Sequence, residues 1–280
     1  MTTLDLRPSP IAGQWYQADP KALAKEVDGY LKHAKLPKLD GEVIAVIAPH
    51  AGHRYSGAVA GHAFATLRGR TPELVAVISP MHHPYHQPLI TTSHQAYATP
   101  LGVLRVDQSA LIELESALQA DLGFDIARVQ RDPEHSLEIE LPFLQRALAS
   151  EWKLLPIMVR AQDPVVSEGL GRALAKTLRN KNFILVASTD LSHFFDQQTA
   201  LSLDSTILYE IESLSPEGAF DVERSGKGFA CGLGAVTAVM WAARELGANS
   251  VKILNHATSG DITGDYSSVV GYGAAVILRK

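Results

Sequence analysis

Three unbroken apolar runs stand out along the chain: Val43-Ile44-Ala45-Val46-Ile47-Ala48, Leu74-Val75-Ala76-Val77-Ile78 and Phe183-Ile184-Leu185-Val186-Ala187. They lack the polar alternation of a half-exposed strand, so each predicts a parallel strand covered on both faces. The first leads into Pro49-His50-Ala51-Gly52, the second into Ser79-Pro80-Met81-His82-His83, and the third into Ser188-Thr189-Asp190-Leu191-Ser192-His193. Each strand therefore delivers polar side chains at its carboxyl end, where ligands bind in an open α/β sheet.

Helical periodicity occupies the gaps. Asp19-Pro20 predicts a helix start, N-cap then first residue, followed by Leu23, Val27 and Leu31 on one stripe. Val59, Ala63 and Leu67 mark a small-residue helix entered through Gly52 and Ser56-Gly57. Further helices are expected over 107–122, 164–178, 196–214 and 231–246, and one through Leu137 to Leu148 that Pro142 should kink or delay. Short strands are expected over 88–93 and 101–106 around a Thr99-Pro100-Leu101-Gly102 turn, and others over 152–159, 251–254 and 271–278. Residues 7–18 have no clear period and read as an extended arm that lays Trp15 and Tyr16 on the body. Strand and helix alternate without a linker tract, which predicts one α/β domain over 1–280.

Composition narrows the function classes. With 46% apolar and 20% charged residues in 280, the chain is ordinary for a folded protein. Its 25 basic residues fall short of its 30 acidic ones, a net charge of −5, which argues against a nucleic-acid partner. The glycine-dotted stretch between Lys227 and Arg244 is shorter than the roughly 20 residues of a spanning helix, so no membrane partner is expected. The start, Met1-Thr2-Thr3-Leu4-Asp5-Leu6-Arg7-Pro8, lacks a basic then apolar leader, and a lone cysteine, Cys231, fits a reducing compartment; a cytoplasmic location is expected. No dinucleotide or P-loop glycine signature occurs.

The candidate chemistry gathers at the strand ends. His50 and His82 put two imidazoles on neighbouring ends, a geometry suited to a transition metal; hydrogen bonds to loop carbonyls are the rival account. Asp190 and His193, three apart, suit a carboxylate orienting an imidazole for proton transfer, although Asp190 or Ser192 could simply cap the next helix. His135, between Glu134 and Ser136, is a further acid/base candidate, with a plain helix entry as the alternative. Cys231 before Gly232 opens a helix whose dipole favours thiolate; it reads as a ligand, a nucleophile or a buried apolar residue. His53, His83 and His86 fall beside the site, whereas His33, His62, His94 and His256 sit where surface or capping imidazoles are common.

Taken in order, Ala48-Pro49-His50-Ala51-Gly52, Ser79-Pro80-Met81-His82, Thr99-Pro100-Leu101-Gly102, Glu134-His135-Ser136-Leu137-Glu138, Leu141-Pro142-Phe143-Leu144, Ser188-Thr189-Asp190-Leu191-Ser192-His193, Cys231-Gly232 and Ser259-Gly260-Asp261 resemble the MEMO family. Prokaryotic members are also called AmmeMemoRadiSam system protein B. The resemblance implies a three-layer α/β/α sandwich with a central mixed, largely parallel sheet, similar to class III extradiol dioxygenases. It implies a non-haem metal site of His50, His82 and Cys231, with His193, Asp190 and His135 as the catalytic groups around it. Fe(II) is the metal it implies first, with Cu or Zn as alternatives that a thiolate favours. The implied function is a metal-dependent oxidoreductase; the alternative is a phosphotyrosine or anionic-ligand binding module without turnover. The implied partners are a small-molecule or phosphorylated ligand, together with radical-SAM and AMMECR-like system proteins. His53 stands where the family usually has an aromatic, and Tyr97 where it usually has Trp.

Overall fold

The computed structural model describes residues 4–123 and 125–280. The chain runs β1 (Leu6–Arg7), α1 (Pro20–His33), β2 (Glu42–Ala48), α2 (His53–Ala65), β3 (Leu74–Pro80), β4 (Leu89–Thr92), β5 (Ala96–Thr99), β6 (Gly102–Arg105), α3 (Gln108–Leu122) and β7 (Ala127–Val129). A 3-10 turn, Glu138–Glu140, precedes α4 (Leu141–Ala147), β8 (Lys153–Val159), α5 (Pro164–Leu178), β9 (Phe183–Ser188), β10 (His193–Phe195) and α6 (Gln197–Glu212). The last elements are α7 (Pro216–Arg224), α8 (Leu233–Glu245), β11 (Ser250–Thr258), α9 (Gly260–Thr263) and β12 (Val269–Arg279).

One large mixed sheet, ordered β10-β12-β2-β9-β3-β8-β4-β7 with β11 also on β12, forms the central layer. Its middle, β2-β9-β3-β8, is parallel throughout, while β12 and β4 join antiparallel on either side. The apolar runs are explained by their two-sided burial. Leu74, Ala76 and Ile78 enter one core with Leu155, Ile157, Leu185 and Ala187, beneath α3, α5 and α8. Val75 and Val77 enter the other with Leu154, Ile184 and Val186, beneath α1 and α2. Helices thus cover both faces and the architecture is a three-layer α/β/α sandwich.

Local chemistry sets the element ends. Asp19 accepts from the Ala22 N–H at 2.8 Å and Pro20 follows, so α1 starts where the sequence predicts. Leu23, Val27 and Leu31 are all buried, each contributing about 2 kcal/mol. Pro142 cannot donate within a helix and sits in the first turn of α4, which is why a 3-10 turn replaces the expected helix start at Leu137.

Two strand expectations are corrected. The Thr99 to Gly102 turn joins β5 to β6, because Ala96 and Tyr97 pair with Arg105 and Leu104. The 88–93 segment goes instead to the main sheet as β4, where Leu89 and Ile90 are fully buried against β8. The small sheet β1-β5-β6 holds the amino-terminal arm. Helix α7 starts at Pro216 behind the Ser215 cap, and α8 begins at Leu233 and not at Cys231, which stays in the preceding turn.

Candidate metal centre

The parallel strands β2, β9 and β3 all end on one edge, and their following residues converge there. His50, His82 and His135 each offer a ligand atom, and these atoms lie within 4.8 Å of one another. His50 is buried and its ring centroid is 5.2 Å from that of His82 and 5.4 Å from that of His135. The His82 and His135 rings are stacked at 5.0 Å, and Trp15 from the arm covers His135 at 4.0 Å.

The second nitrogen of two of these rings is held. His50 Nδ1 lies 2.9 Å from Ser188 Oγ, whose other neighbours are the oxygens of Ser136 and Glu140 at 2.8 and 2.7 Å. With acceptors already waiting for the single hydroxyl proton, the imidazole donates from Nδ1 and keeps a lone pair on Nε2. His82 Nδ1 donates to Glu134 Oε1 at 3.0 Å, which directs its Nε2 outward in the same way. Glu134, with no side-chain exposure, also accepts from the backbone N–H groups of His82, His135 and Ser136 at 2.6, 2.9 and 3.0 Å.

Charge is distributed accordingly. Burial alone would raise Glu134, but the His82 ring and the surrounding N–H donors outweigh it and hold the carboxyl well below its ordinary range. Burial, reinforced by His135 and His82, keeps His50 neutral, and burial pushes His135 down to about 4 although Glu134 opposes it. At neutral pH both imidazoles are therefore uncharged, the form that binds metal.

The structure brings Cys231 to the same place. Its Sγ is 3.2 Å from His50 Nε2 and receives the Asp190 backbone N–H at 3.2 Å. Cys231 lies before α8, where burial of its sulfur and the Asp190 charge push the thiol up, outweighing any helix dipole.

Asp190 does not orient His193. Its Oδ1 accepts from the backbone N–H of His50 and of Ala51 at 2.8 and 3.3 Å, and burial pushes it up to about 7 against those bonds. His193 Nδ1 bonds instead to the Leu191 carbonyl at 2.7 Å, and burial lowers its pKa. The next residue, Phe194, is 76% exposed and sits at φ 65°, a left-handed conformation costing a non-glycine residue about 1 kcal/mol. A register shift between His193 and Phe195 accompanies it.

Five other histidines have partners of their own away from the cluster. His53 is buried among Tyr16, Tyr30 and Phe143, with Nε2 3.3 Å from the Ile139 carbonyl, and stands outside the imidazole cluster. His33 and His62 bond to carbonyls one turn back, and His94 bridges Asp5 and Gln130. His256 differs from the capping role expected of it, pairing at 2.8 Å with the buried Asp204 that also accepts the Ser192 N–H.

Sequence reasoning missed Glu134, Ser188, Glu140 and Trp15 as parts of the centre. The signal available was an acid next to His135 and two more, Glu138 and Glu140, set among apolar residues. Glu138 serves the arm: with Asp132 it holds the buried Arg7, which bonds Glu138 at 2.5 Å and Asp132 at 2.7 and 3.0 Å. Ser9 and Tyr16 donate to the same Glu138 carboxylate. The network fixes the arm so that Trp15 reaches His135.

A family model described as Memo-like protein matches residues 7–276. A MEMO1 family protein of Nitrosopumilus maritimus is 32% identical over 96% of this chain and 98% of its own length. Another, from Methanopyrus kandleri, is 33% identical over 98% of this chain and 99% of its own. An uncharacterized protein from Escherichia coli K12 superposes with a TM-score of 0.51 at 13% identity, covering 84% of this chain and all of that one, a likeness of fold. Among the described residues, no helix is long and apolar enough to cross a membrane.

Proposed function

Because the chain belongs to the Memo-like protein family, we propose that its sheet edge is a transition-metal centre of an oxidoreductase, held by His50, His82 and His135 with Cys231 beside them. One observation carries the reading: three imidazoles offer ligand atoms within 4.8 Å of each other, and two of the rings have their far nitrogen tied to Ser188 and Glu134. The donor set fits the ion. His50 and His135 are neutral, His82 lies beside them, and a protonated thiol 3.2 Å from His50 Nε2 can add sulfur by losing its proton. Iron is the metal we favour, with copper or zinc the alternatives if the thiolate joins. Such an ion would supply Lewis acidity and, if iron or copper, electron transfer.

The chain's own groups do the rest. Glu134 fixes His82 and the His135 loop through four hydrogen bonds. Asp190, poised at about 7, holds the His50 and Ala51 backbone and is able to store or release a proton there. His193, half-buried at the bulge, is the candidate general base for a bound substrate. Trp15 shields His135 from water. A cytoplasmic setting, where a lone thiol stays reduced, belongs to the same reading.

Binding of a phosphorylated ligand without turnover has less support. His50 and His135 are neutral at pH 7 and Glu134 is ionised, so a phosphate dianion meets no fixed positive charge from them. Metal analysis of untagged protein beside His50→Ala and His135→Ala tests the proposal. Near-stoichiometric iron, copper or zinc in the wild type and little in either variant is expected; equal content in all three would remove the ligand assignment.

A further inference from the structure

We propose that Asp204, with His256 as its side-chain donor, is the positioning carboxylate of His193. The inference deepens the reading of His193 as the base and rests on it for that role alone. It starts from a misfit in the helical pattern. The inward stripe of α6 is Ala200, Asp204, Ile207, Leu208 and Ile211, apolar but for one acid, which is fully buried. A carboxylate so placed is costly unless donors meet it. Two do: Oδ1 accepts the Ser192 N–H at 2.9 Å, and Oδ2 accepts from His256 Nε2 at 2.8 Å. Gly271 on β12 makes the approach possible, because a Cβ there would collide with Asp204 Oδ2.

What these contacts fix is the backbone that carries His193. Ser192 is held at both ends, its N–H by Asp204 and its carbonyl by the Gly271 N–H at 2.8 Å, while the Gly271 carbonyl accepts the Leu191 N–H at 2.8 Å. The Ser192 hydroxyl is buried without a partner among the described residues, so this residue acts through its backbone. The Leu191 carbonyl in turn accepts from His193 Nδ1 at 2.7 Å, which leaves the ring's lone pair on Nε2, and Phe194 and Phe229 meet the ring edge-on at 5.6 and 5.8 Å. Charge acts alongside the grip. Burial and the His82 ring lower the His193 pKa, whereas the Leu191 carbonyl and the Asp204 charge raise it. Asp190, nearer in sequence, is already spent on the His50 and Ala51 N–H groups. The carboxylate that serves His193 therefore comes from α6.

Nuclear magnetic resonance of metal-free, full-length protein tests this, with the His193 ring signals assigned by their loss in His193→Gln. Asp204→Asn keeps an oxygen for the Ser192 N–H and turns its amide protons to His256, so it removes the charge and spares the grip. Its His193 titration midpoint should fall below that of wild type, while the Ser192 amide exchanges with solvent as slowly as before. Asp204→Ala removes both: the midpoint should fall and the Ser192 amide should exchange about tenfold faster or more. A purely structural Asp204 would leave the midpoint of Asp204→Asn where it is in wild type, and that result overturns the proposal, as does unchanged Ser192 exchange in Asp204→Ala. Should the alanine variant fail to fold, the asparagine variant decides alone. Metal content is read on wild-type protein before stripping: the expected shifts in a protein that never holds metal refute only the centre, while an unmoved midpoint in a protein that binds metal refutes only the pairing of Asp204 with His193.

Discussion

Glu134→Gln probes the centre with the smallest possible change. Oε1 of Glu134 receives three donors, His82 Nδ1 and the N–H groups of His135 and Ser136, whereas Oε2 receives only the His82 N–H, at 2.6 Å. A glutamine keeps its carbonyl oxygen at the Oε1 position and so turns its amide protons against that His82 N–H. One buried donor is left unsatisfied, at about 1–3 kcal/mol, and three charge-assisted bonds become neutral ones of roughly half the strength. A destabilisation of about 3 kcal/mol in urea denaturation of metal-free protein is expected. Because His82 is then held less firmly, metal affinity should fall about 10–100-fold in a competitive chelator titration. The pH dependence has a definite sign. The folded carboxyl lies below its unfolded value of about 4.3, so its stabilisation is complete above that pH and disappears as pH falls through the folded value. The gap between wild type and variant should therefore narrow on acidification below pH 4. A variant as stable as wild type at pH 7 with unchanged metal affinity would refute this reasoning.

Other perturbations reach different parts of the same account. Asp190, with a folded pKa of about 7 above its unfolded value, contributes stability at low pH that is lost as pH rises from about 4 to 7; Asp190→Asn should flatten the decline expected over that range in urea denaturation of metal-free protein. Arg7→Met leaves Asp132 and Glu138 buried without their cation and should cost about 3–5 kcal/mol in the same assay, with a red shift of tryptophan emission as Trp15 is released. Gly232→Ala places a Cβ 2.3 Å from the Ser188 carbonyl, so β9 and the Cys231 turn must move apart; a loss of about 1–3 kcal/mol and reduced metal content are expected.

The sheet was legible in the chain because its strands are buried twice. Val75 and Ile78 face opposite helix layers, and only an uninterrupted apolar run satisfies both. Helix starts were legible where a side chain fixes them, as Asp19 and Asp163 do by accepting from N–H groups of the first turn. Strand pairing was not, since 88–93 and 96–99 have similar patterns and their partners β8 and β6 are chosen by tertiary packing. His50 and His82 could be read from their place at strand ends. Glu134 could not, because its role depends on N–H groups of a loop whose path no local pattern dictates. Which of the three readings of Cys231 holds could not be read either, because position near a helix start is visible in sequence whereas its surroundings, which push the thiol up, are not.

An anomalous-difference map, collected at the absorption edge of the metal found in untagged protein, tests the central claim most directly. The account predicts one peak within bonding distance of nitrogens from His50, His82 and His135, with Cys231 Sγ adjacent. A peak elsewhere, or a metal-loaded crystal in which these three rings contact no peak, would contradict it.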